Sequence, residues 1–528
     1  MSVAGRSANG RTHRGGAAFA ERVIRTVQRL LAENAEGTIV LVILAAFVVA
    51  WMLFWEVSTA SLDVHVDASE ALVWAQHFAF GYKHPPLTGW LFALWFSVLP
   101  RQQWAVNLLS VTTNAVALAV TWRLLRDHLD KYRALFGVFA LMLVPLYDVK
   151  AEVLNANTVM TPFWAAALLF YLRSRRSLGP LDAFLAGVFA GFAMLGKYWA
   201  VFLIAGIAVA TLIGAEVRRY WRSPAPYVMA AGAAIIMAPH VWWLLTQSGA
   251  SVQFAESVIK SFTLGAAIAK SANYILGCIA YIGAPLVFFL ALRPSRAAWA
   301  DTLWPLDNTR RQAWILLLVP LLLPALLNLV MPYRLTSAWT SPNWPLLPIV
   351  LYASSALVIE ERAAACAALA TAVVTLAIVI ASPIVACVRL TNGPDANRPH
   401  YRQVAEDAQM LAGRPIERIW GSESIVSGLP FYLPAAQPLS AVPSSAEGSA
   451  VVAAHGLLIV CSSGDAPCQK VAQDLVASGA RTTKATFTRS FLGFSSPPAS
   501  YQITVVPPAR PAPAHTTGPA INTGIDRS

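Results

Sequence analysis

Ionisable and aromatic side chains crowd into one stretch, residues 61–104, directly after a strongly apolar run. Only 12% of the chain is charged, yet this stretch contains Asp63, His65, Asp67, Glu70, His77, Lys83 and His84. Ionisable groups beside apolar segments are costly to place and usually serve a function. The sequence therefore predicts a structured loop that holds acids and bases at the edge of a membrane.

The spacing of aromatic residues and alanines in this stretch predicts short amphipathic helices on the membrane surface, one of them over 68–80. Pro85 and Pro86 then force an extended turn. Residues 87–99 are apolar but too short for an ordinary span, which predicts a re-entrant or interfacial helix.

Apolar runs on both sides of the stretch place the chain among polytopic membrane proteins. Hydrophobic residues make up 57% of the 528, and several runs exceed the eighteen residues that span hydrocarbon as a helix. Eleven spans are predicted, at about 38–59, 104–122, 134–147, 157–172, 181–195, 199–215, 224–246, 266–292, 313–331, 343–359 and 363–388.

The distribution of positive charge orients these spans. With the N-terminus in the cytosol, the inner segments carry 21 lysines and arginines, whereas the outer segments before the last span carry 7. This bias is what the positive-inside rule expects. The net charge of +12 therefore reflects orientation rather than nucleic-acid binding.

Four regions follow from this reading. Residues 1–37 are a basic cytosolic N-terminus, with an interfacial helix over 22–33 and no cleaved signal peptide. Residues 38–389 form the transmembrane domain with its outer loop at 60–103. Residues 390–506 read as a small α/β extracytoplasmic domain, and 507–528 as a disordered tail. Helices are predicted over 401–413 and 468–480, and strands at 416–422, 428–433, 456–463 and 501–506.

The cysteines show no metal-ligand spacing, and no metal cluster stands out elsewhere. Cys461 and Cys468 fall in the predicted extracytoplasmic domain. A disulfide between them is plausible in an oxidising compartment, and a reduced pair is the alternative.

An ordered set of short motifs resembles the GT-C membrane glycosyltransferases of family 39 and its relatives. These include protein mannosyltransferases, lipid A aminoarabinose transferases and rhizobial galacturonic acid transferases. The matching segments are Asp67-Ala68-Ser69, Trp74-Ala75-Gln76, Gly81-Tyr82-Lys83-His84-Pro85-Pro86-Leu87, Asn155-Ala156-Asn157, Gly196-Lys197-Tyr198, Pro239-His240-Val241-Trp242-Trp243, Pro332-Tyr333-Arg334 and Trp339-Thr340-Ser341-Pro342-Asn343-Trp344. Two positions depart from the family pattern. Ala68 replaces the second acid of an Asp-Glu pair, and Asn157 stands where relatives often have an aspartate.

The resemblance implies a GT-C fold and transfer of a sugar from a polyprenyl-phosphate donor to a lipid or glycan acceptor, without a cofactor. It implies Asp67 as catalytic residue, with Glu70, one turn further along, able to replace the acid missing at Ala68. The basic groups suited to the donor phosphate are Lys83, His84, Lys197 and Arg334. The groups suited to sugar or acceptor are Tyr82, Asn157, Tyr198, His240, Trp242 and Trp339.

Each residue also has a structural explanation that the sequence leaves open. Asp67 can be a general base or the N-cap of the helix over 68–80. Lys197 can bind an anion or extend to the head groups. Lys83 and His84 can form an exposed basic face, whereas His240 and the tryptophans can belong to an interfacial aromatic belt.

The resulting prediction is a polyprenyl-phosphate-dependent glycosyltransferase of the bacterial inner membrane, with its C-terminal domain in the periplasm. No glycine-rich phosphate loop, DxD-like pair or Walker motif appears in the inner loops, which disfavours nucleotide-driven chemistry. A transporter of lipid-linked saccharide is the rival class, although no internal repeat supports it. A degenerate enzyme kept as a scaffold is the third reading, and Ala68 favours it.

Overall fold

The fold consists of two compact units. The computed structural model describes residues 6–75, 78–82, 84–214, 216–247, 263–392, 398–439, 441–475 and 479–509. The membrane unit comprises Met1–Ala60 and Ala71–Val388, and the C-terminal unit comprises Ser61–Glu70 and Arg389–Ser528. Residues 61–70, expected simply as part of the outer loop, therefore pack with the C-terminal chain.

Helices dominate the chain from Arg6 to Thr391. They are α1 (Arg6–Glu33), α2 (Glu36–Ser58), α3 (Val66–Ala75), α4 (Leu87–Val98), α5 (Gln103–Arg126), α6 (Lys131–Leu141), α7 (Ala156–Ser177), α8 (Pro180–Gly196), α9 (Val201–Leu212), α10 (Val217–Trp221), α11 (Ala225–Gln247), α12 (Leu264–Tyr281), α13 (Gly283–Ala291), α14 (Arg296–Leu303), α15 (Asn308–Val330), α16 (Leu347–Tyr352), α17 (Glu361–Ile380) and α18 (Ser382–Thr391). Short 3₁₀ helices occupy Tyr198–Ala200 and Ser337–Leu346.

Several of these helices are long and apolar enough to cross a membrane. Within the described residues, α2, α5, α11, α15 and α17 meet this condition, and the pair α12 and α13, bent by 50°, counts as a sixth if it is one span. The prediction of a polytopic helical membrane protein is confirmed. The number of eleven spans stays a prediction.

The predicted span over 343–359 is wrong as a continuous helix. The 3₁₀ helix Ser337–Leu346 is followed by the short helix α16, and residues 353–360 are not helical. Pro342, Pro345 and Pro348 account for this, because proline lacks the amide hydrogen that a helix interior needs. The segment is thus a structured loop followed by one short helix.

Other predicted helices are shorter or broken. The span over 134–147 ends at Leu141, the span over 266–292 breaks at Ile282, and the span over 363–388 breaks at Ala381. The predicted helix over 68–80 corresponds to α3, which ends at Ala75, and residues 78–80 are not helical. The short helix predicted over 87–99 is α4.

Close packing of α8 against α7 and α11 positions the candidate site residues of the membrane unit. A Cβ atom on Gly187 of α8 would overlap the backbone of Met229 in α11, and a Cβ on Gly232 of α11 would lie 2.6 Å from the carbonyl oxygen of Phe184. Small residues allow membrane helices to approach in this way. The end of α8 is thereby held beside both neighbouring helices.

The C-terminal unit is built on one five-stranded sheet. Its strands are β1 (Arg418–Gly421), β2 (Gln437–Pro438), β3 (Leu457–Ser462), β4 (Arg481–Phe487) and β7 (Ala499–Val506), and β5 (Ser490–Phe491) and β6 (Phe494–Ser495) form a hairpin. The strand order in the sheet is β2-β1-β3-β7-β4. β1 pairs in parallel with β2 and β3, whereas β7 is antiparallel to β3 and β4. The helices are α19 (Tyr401–Ala412), α20 (Glu423–Val426), α21 (Ala446–His455) and α22 (Ala466–Asp474).

Sequence patterns located most of this unit. The predicted helix over 401–413 matches α19, whose C-terminal glycine, Gly413, has a φ of 62°. The predicted strand at 428–433 is wrong, because Pro430 lies in a 3₁₀ turn over Leu429–Phe431. The predicted helix over 468–480 is α22 in its described part, and residues 476–478 lie outside the described residues.

Candidate functional site

Lys197 lies in the break between two helices of the membrane unit. Helix α8 ends at Gly196, and the 3₁₀ helix that leads into α9 begins at Tyr198. The Lys197 Nζ atom donates a hydrogen bond of 2.8 Å to the side-chain oxygen of Asn157, near the start of α7. The roles implied for Lys197 at the donor phosphate and for Asn157 at the sugar or acceptor stay predictions, but the structure brings the two residues together.

Asn155 organises the partner of this lysine. Its side-chain oxygen caps α7 by accepting from the backbone N–H of Asn157 at 2.9 Å. The Asn157 side-chain amide also donates to this oxygen at 3.0 Å, which turns the Asn157 carbonyl oxygen toward Lys197. The cap of α7 therefore fixes the position of the lysine ammonium.

An indole face completes this group, which we call the lysine cluster: Asn155, Asn157, Lys197 and Trp339. The ammonium lies 4.1 Å from the centre of the Trp339 ring, which belongs to the 3₁₀ helix Ser337–Leu346. Trp199 supports Trp339 edge-on, with ring centroids 5.1 Å apart. These two contacts of the ammonium are with an uncharged amide and an uncharged indole. The cluster can present positive charge beside an aromatic surface.

Tyr198 and His240 form a second hydrogen-bonded pair in the membrane unit. The His240 Nδ1 atom lies 2.6 Å from the carbonyl oxygen of Phe80, so this nitrogen carries the proton and donates. Nε2 is then the acceptor for the Tyr198 hydroxyl at 2.8 Å. His240 is 1% exposed, and the pair connects the α8–α9 break to the turn at residues 78–82.

Close packing on α11 holds that turn in place. A Cβ atom at Gly81 would overlap the ring of Trp243, and Trp243 stacks on His240 with centroids 6.0 Å apart. Tyr82 stacks on Trp74 at 5.7 Å and donates to its carbonyl oxygen, and burial raises the pKa of Tyr82. His84 packs edge-on against Trp74 at 5.3 Å. The turn is thus an ordered part of the membrane unit.

Other predicted residues are not brought into these groups by any described contact. Arg334 is exposed, and the side chain of Trp242 is 58% exposed on α11. Lys83 lies outside the described residues. An apolar groove of about 980 Å³ is lined by residues of α1, α2, α6 and α17, and none of the predicted site residues lines it.

Asp67 and Glu70 belong to the C-terminal unit. Both lie in α3, and both are partly exposed, whereas Ala68 between them is 1% exposed. The N-cap alternative for Asp67 is wrong, because α3 begins at Val66. His65 takes that position instead: its carbonyl oxygen accepts from Ala68 and Ser69, and its Nδ1 atom accepts from the Asp67 backbone N–H at 3.2 Å. The Asp67 side chain is therefore not the cap of α3, and its Oδ2 atom lies 3.8 Å from the His65 Nδ1 atom.

The structure also bears on the predictions about the cysteines and about metal ligands. Cys461 at the end of β3 is joined to Cys468 in α22 by a disulfide, with Cα atoms 5.6 Å apart. Among the described residues, no group of three or more His, Cys, Asp or Glu side chains is placed to hold a metal ion.

Sequence reasoning did not single out the buried carboxylate of Asp63. Asp63 was named only among the ionisable residues of the stretch 61–104, yet it pairs with Arg489, which lies more than four hundred residues away in sequence. No local spacing links these two positions, so only the fold could reveal the pair. The signal that the sequence offered was the position of Asp63 shortly before Asp67, the predicted catalytic acid.

The described residues form a helical membrane protein with an additional α/β unit, and the fold and motifs resemble those of GT-C membrane glycosyltransferases. A family model described as dolichyl-phosphate-mannose-protein mannosyltransferase matches residues 83–243. The crystal structure of ArnT from Cupriavidus metallidurans bound to undecaprenyl phosphate is similar in fold, with a TM-score of 0.57 and 13% identity, over 89% of this chain and 98% of that one.

Curated relatives come from Rhizobium johnstonii. The lipid A galacturonosyltransferase RgtD is 24% identical over 234 residues, which cover 44% of this chain and 48% of RgtD. The lipopolysaccharide core galacturonosyltransferase RgtB is 26% identical over 287 residues, covering 49% of this chain and 54% of RgtB. The chain thus spans about half the length of the curated relatives it matches. These matches confirm the resemblance to GT-C membrane glycosyltransferases.

Proposed function

We propose that this chain is an integral membrane glycosyltransferase that moves a sugar from a polyprenyl-phosphate donor to an envelope glycolipid or glycan. The observation that carries this proposal is the lysine cluster, a fixed cation beside an aromatic face at the break between α8 and α9. A departing lipid phosphate needs such fixed positive charge. The names of the two rhizobial relatives and of the ArnT complex support a lipid-linked donor and a lipopolysaccharide-type acceptor.

The proposed reaction has a defined set of bond changes. Asp67 takes the proton from the acceptor hydroxyl as a general base. The hydroxyl oxygen forms a bond to the anomeric carbon of the sugar, and the bond from that carbon to the phosphate oxygen breaks. Polyprenyl phosphate leaves with the negative charge, which Lys197 stabilises. Glu70 is the candidate for the acid absent at Ala68, and the transferred group is a hexosyl or pentosyl unit.

The proposed location is the bacterial inner membrane, with the N-terminus in the cytosol and the C-terminal unit in the periplasm. Single cysteines replacing Ala60 or Ser495, both exposed, should react with a membrane-impermeant reagent in intact spheroplasts, in a background without Cys278, Cys366 and Cys387. A cysteine at Ser177 is the control, because α7 ends at this residue and should face the cytosol. Labelling of Ser177→Cys alone would reverse the proposed orientation.

The function itself is tested by mass spectrometry of envelope glycolipids and glycans with and without the gene, and by transfer from polyprenyl-phosphate sugars to the extracted acceptor in detergent. We expect an acceptor to lose a hexose, hexuronate or pentose mass when the gene is removed. Loss of a lipid-linked saccharide from the outer leaflet, with no transfer by the purified chain, would establish the transporter reading instead. Unchanged glycans and lipids would leave only the scaffold reading.

A further inference from the structure

Asp63 is buried at the point where residues 61–70 join the C-terminal unit. Only 8% of its surface is exposed, and three donors surround its carboxylate. The Arg489 Nη2 atom lies 2.9 Å from Oδ2, the backbone N–H of Arg402 lies 3.3 Å from the same oxygen, and the Tyr432 hydroxyl donates to Oδ1 at 3.2 Å. Burial and the nearby Asp63 charge raise the pKa of Tyr432, which keeps this donor protonated.

The arginine that pairs with Asp63 is itself fixed. Its guanidinium donates to the carbonyl oxygens of Arg398 at 2.9 Å and Pro399 at 2.6 Å, just before α19. Charge-assisted hydrogen bonds of this kind are short and directional. The pair of Asp63 and Arg489 is therefore a rigid connection rather than a mobile surface ion pair.

Backbone contacts extend this connection on both sides of α3's first turn. The Arg398 guanidinium donates to the Asp63 carbonyl oxygen at 3.0 Å, and the backbone N–H of Val64 donates to the Tyr432 hydroxyl at 3.2 Å. Beyond Asp67, the Ser69 hydroxyl donates to the Gly428 carbonyl oxygen at 2.9 Å. Residues of the C-terminal chain thus hold the segment before and after the carboxylate proposed as general base.

We propose that Asp63 is a positioning residue through which the C-terminal unit sets the orientation of Asp67. Asp63 is fixed by Arg489, the next two residues lead to His65, and His65 caps the helix that carries Asp67. Asp63 cannot itself be the base, since Arg489, Tyr432 and the Arg402 amide occupy its carboxylate. The C-terminal unit then acts as a support for catalysis. This inference rests on the proposed function, because it assigns a role to Asp67 in that reaction.

The test uses the full-length chain in detergent with Asp63→Asn, Arg489→Gln and Tyr432→Phe. Glu406→Gln is the matched control, because this carboxylate is exposed on α19 of the same unit. Two quantities are measured for each variant: hydrogen exchange of peptides covering 61–70, and kcat and KM for the lipid-linked donor. Exchange does not depend on activity, so it reports the connection even if the reaction is different.

We expect Asp63→Asn and Arg489→Gln to speed exchange over 61–70 and to lower kcat by about 10²-fold, because small misplacements of reacting groups have effects of this size. The KM for donor should stay within about twofold, as the proposed phosphate-binding lysine lies in the membrane unit. Tyr432→Phe keeps the ion pair, so its exchange over 61–70 should speed up less and its kcat should fall less than in the other two variants. The double variant Asp63→Asn/Arg489→Gln should have a kcat no lower than that of the worse single variant, because it leaves no unpaired buried charge.

The possible failures are distinguishable. Exchange over 61–70 that is unchanged in all three variants overturns the connection. Faster exchange with kcat within twofold of the wild type overturns the positioning role. A wild-type chain that transfers no sugar overturns the proposed function, and the positioning of Asp67 for transfer with it, while faster exchange would still support the connection itself.

Discussion

Lys197 and Asn157, forty residues apart in sequence, are joined by a hydrogen bond of 2.8 Å between the ammonium and the side-chain oxygen. An aspartate at position 157 would bring a negative charge to this contact, whereas the asparagine offers a neutral oxygen. The departure from the family pattern at this position thus places a neutral amide, rather than a carboxylate, next to the lysine. This relationship gives the first prediction.

Replacing Lys197 by methionine keeps an unbranched side chain and removes the charge. We expect kcat/KM for the lipid-linked donor to fall by about 10²–10³-fold, the range seen when one group that stabilises developing negative charge is removed. Lys197→Arg should recover part of this loss, and Asn157→Ala should show a smaller loss by freeing the ammonium. Rates are measured by sugar transfer in detergent at several donor concentrations.

Lys150→Met is the control for this series. Lys150 is exposed and contacts the ring of Tyr281 at 5.7 Å, so its removal changes the net charge equally without touching the lysine cluster. A wild-type value of kcat/KM in Lys197→Met would show that Lys197 is not part of the donor site.

Gly81 gives a prediction from packing. A Cβ at this position would overlap the Trp243 ring, so Gly81→Ala must displace either the turn or the tryptophan that stacks on His240. We expect destabilisation of about 1–3 kcal/mol, as for overpacked sites, and a loss of transfer activity. The melting temperature in detergent and the transfer rate are the measurements.

Gly265→Ala is the matched control, because no atom lies within 4 Å of a Cβ at that position in the first turn of α12. Alanine also favours a helix over glycine. This variant should match or exceed the wild-type melting temperature, and equal melting temperatures for wild type and Gly81→Ala would contradict the packing argument.

How far the sequence could predict this molecule depends on the range of the interactions involved. Runs of apolar residues located the α2, α5, α11 and α15 spans well, because burial in a membrane is a property of the local sequence. Breaks were harder to predict: the predicted span 343–359 contains Pro345 and Pro348, and Pro342 lies just before it, yet its apolar composition predicts a helix. The short 3₁₀ helix there carries Trp339 to Lys197, a contact that no spacing could predict.

The candidate site shows the same limit. The order of motifs singled out Lys197, His240 and Asp67, but it could not show which of them share contacts. Tyr198 and His240 meet because α8 and α11 pack closely, and Asp63 meets Arg489 because residues 61–70 join the C-terminal unit. Both facts depend on tertiary packing, which local patterns do not encode.

The third prediction concerns pH and His400 of the C-terminal unit. Burial, reinforced by the charge of Arg489, lowers the pKa of His400 to about 4, compared with about 6.5 for an exposed histidine. The unfolded chain therefore takes up a proton at a higher pH than the folded unit does. Stability attributable to His400 is complete above about pH 6.5 and is lost as the pH falls toward 4.

His400→Asn should flatten this dependence. The measurement is hydrogen exchange of the peptide covering 398–412 in the full-length chain, between pH 7 and pH 5 after correction for the intrinsic exchange rate. The wild type should lose protection over this range, whereas the variant should lose less. Identical pH dependence in the two proteins would mean that His400 does not remain neutral in the folded unit.

The last prediction concerns the proposed base. Asp67→Asn keeps the size and polarity of the side chain and leaves the cap of α3 intact, because His65 provides it. If Asp67 accepts the proton of the acceptor hydroxyl, kcat should fall by about 10²–10⁴-fold, with little change in the KM for donor. Glu70→Gln tests whether Glu70 replaces the acid missing at Ala68, since a comparable fall in kcat would show that it does.

Glu423→Gln controls for the loss of one carboxylate from the first turn of a helix in the same unit, because Glu423 is exposed at the start of α20. It should transfer sugar at the wild-type rate. Each variant is compared at equal abundance and with an unchanged melting temperature, so that folding defects are not counted as catalytic losses. Near wild-type turnover in Asp67→Asn would rule out the base assignment. If Lys197→Met were also fully active, the transporter or scaffold reading would take its place.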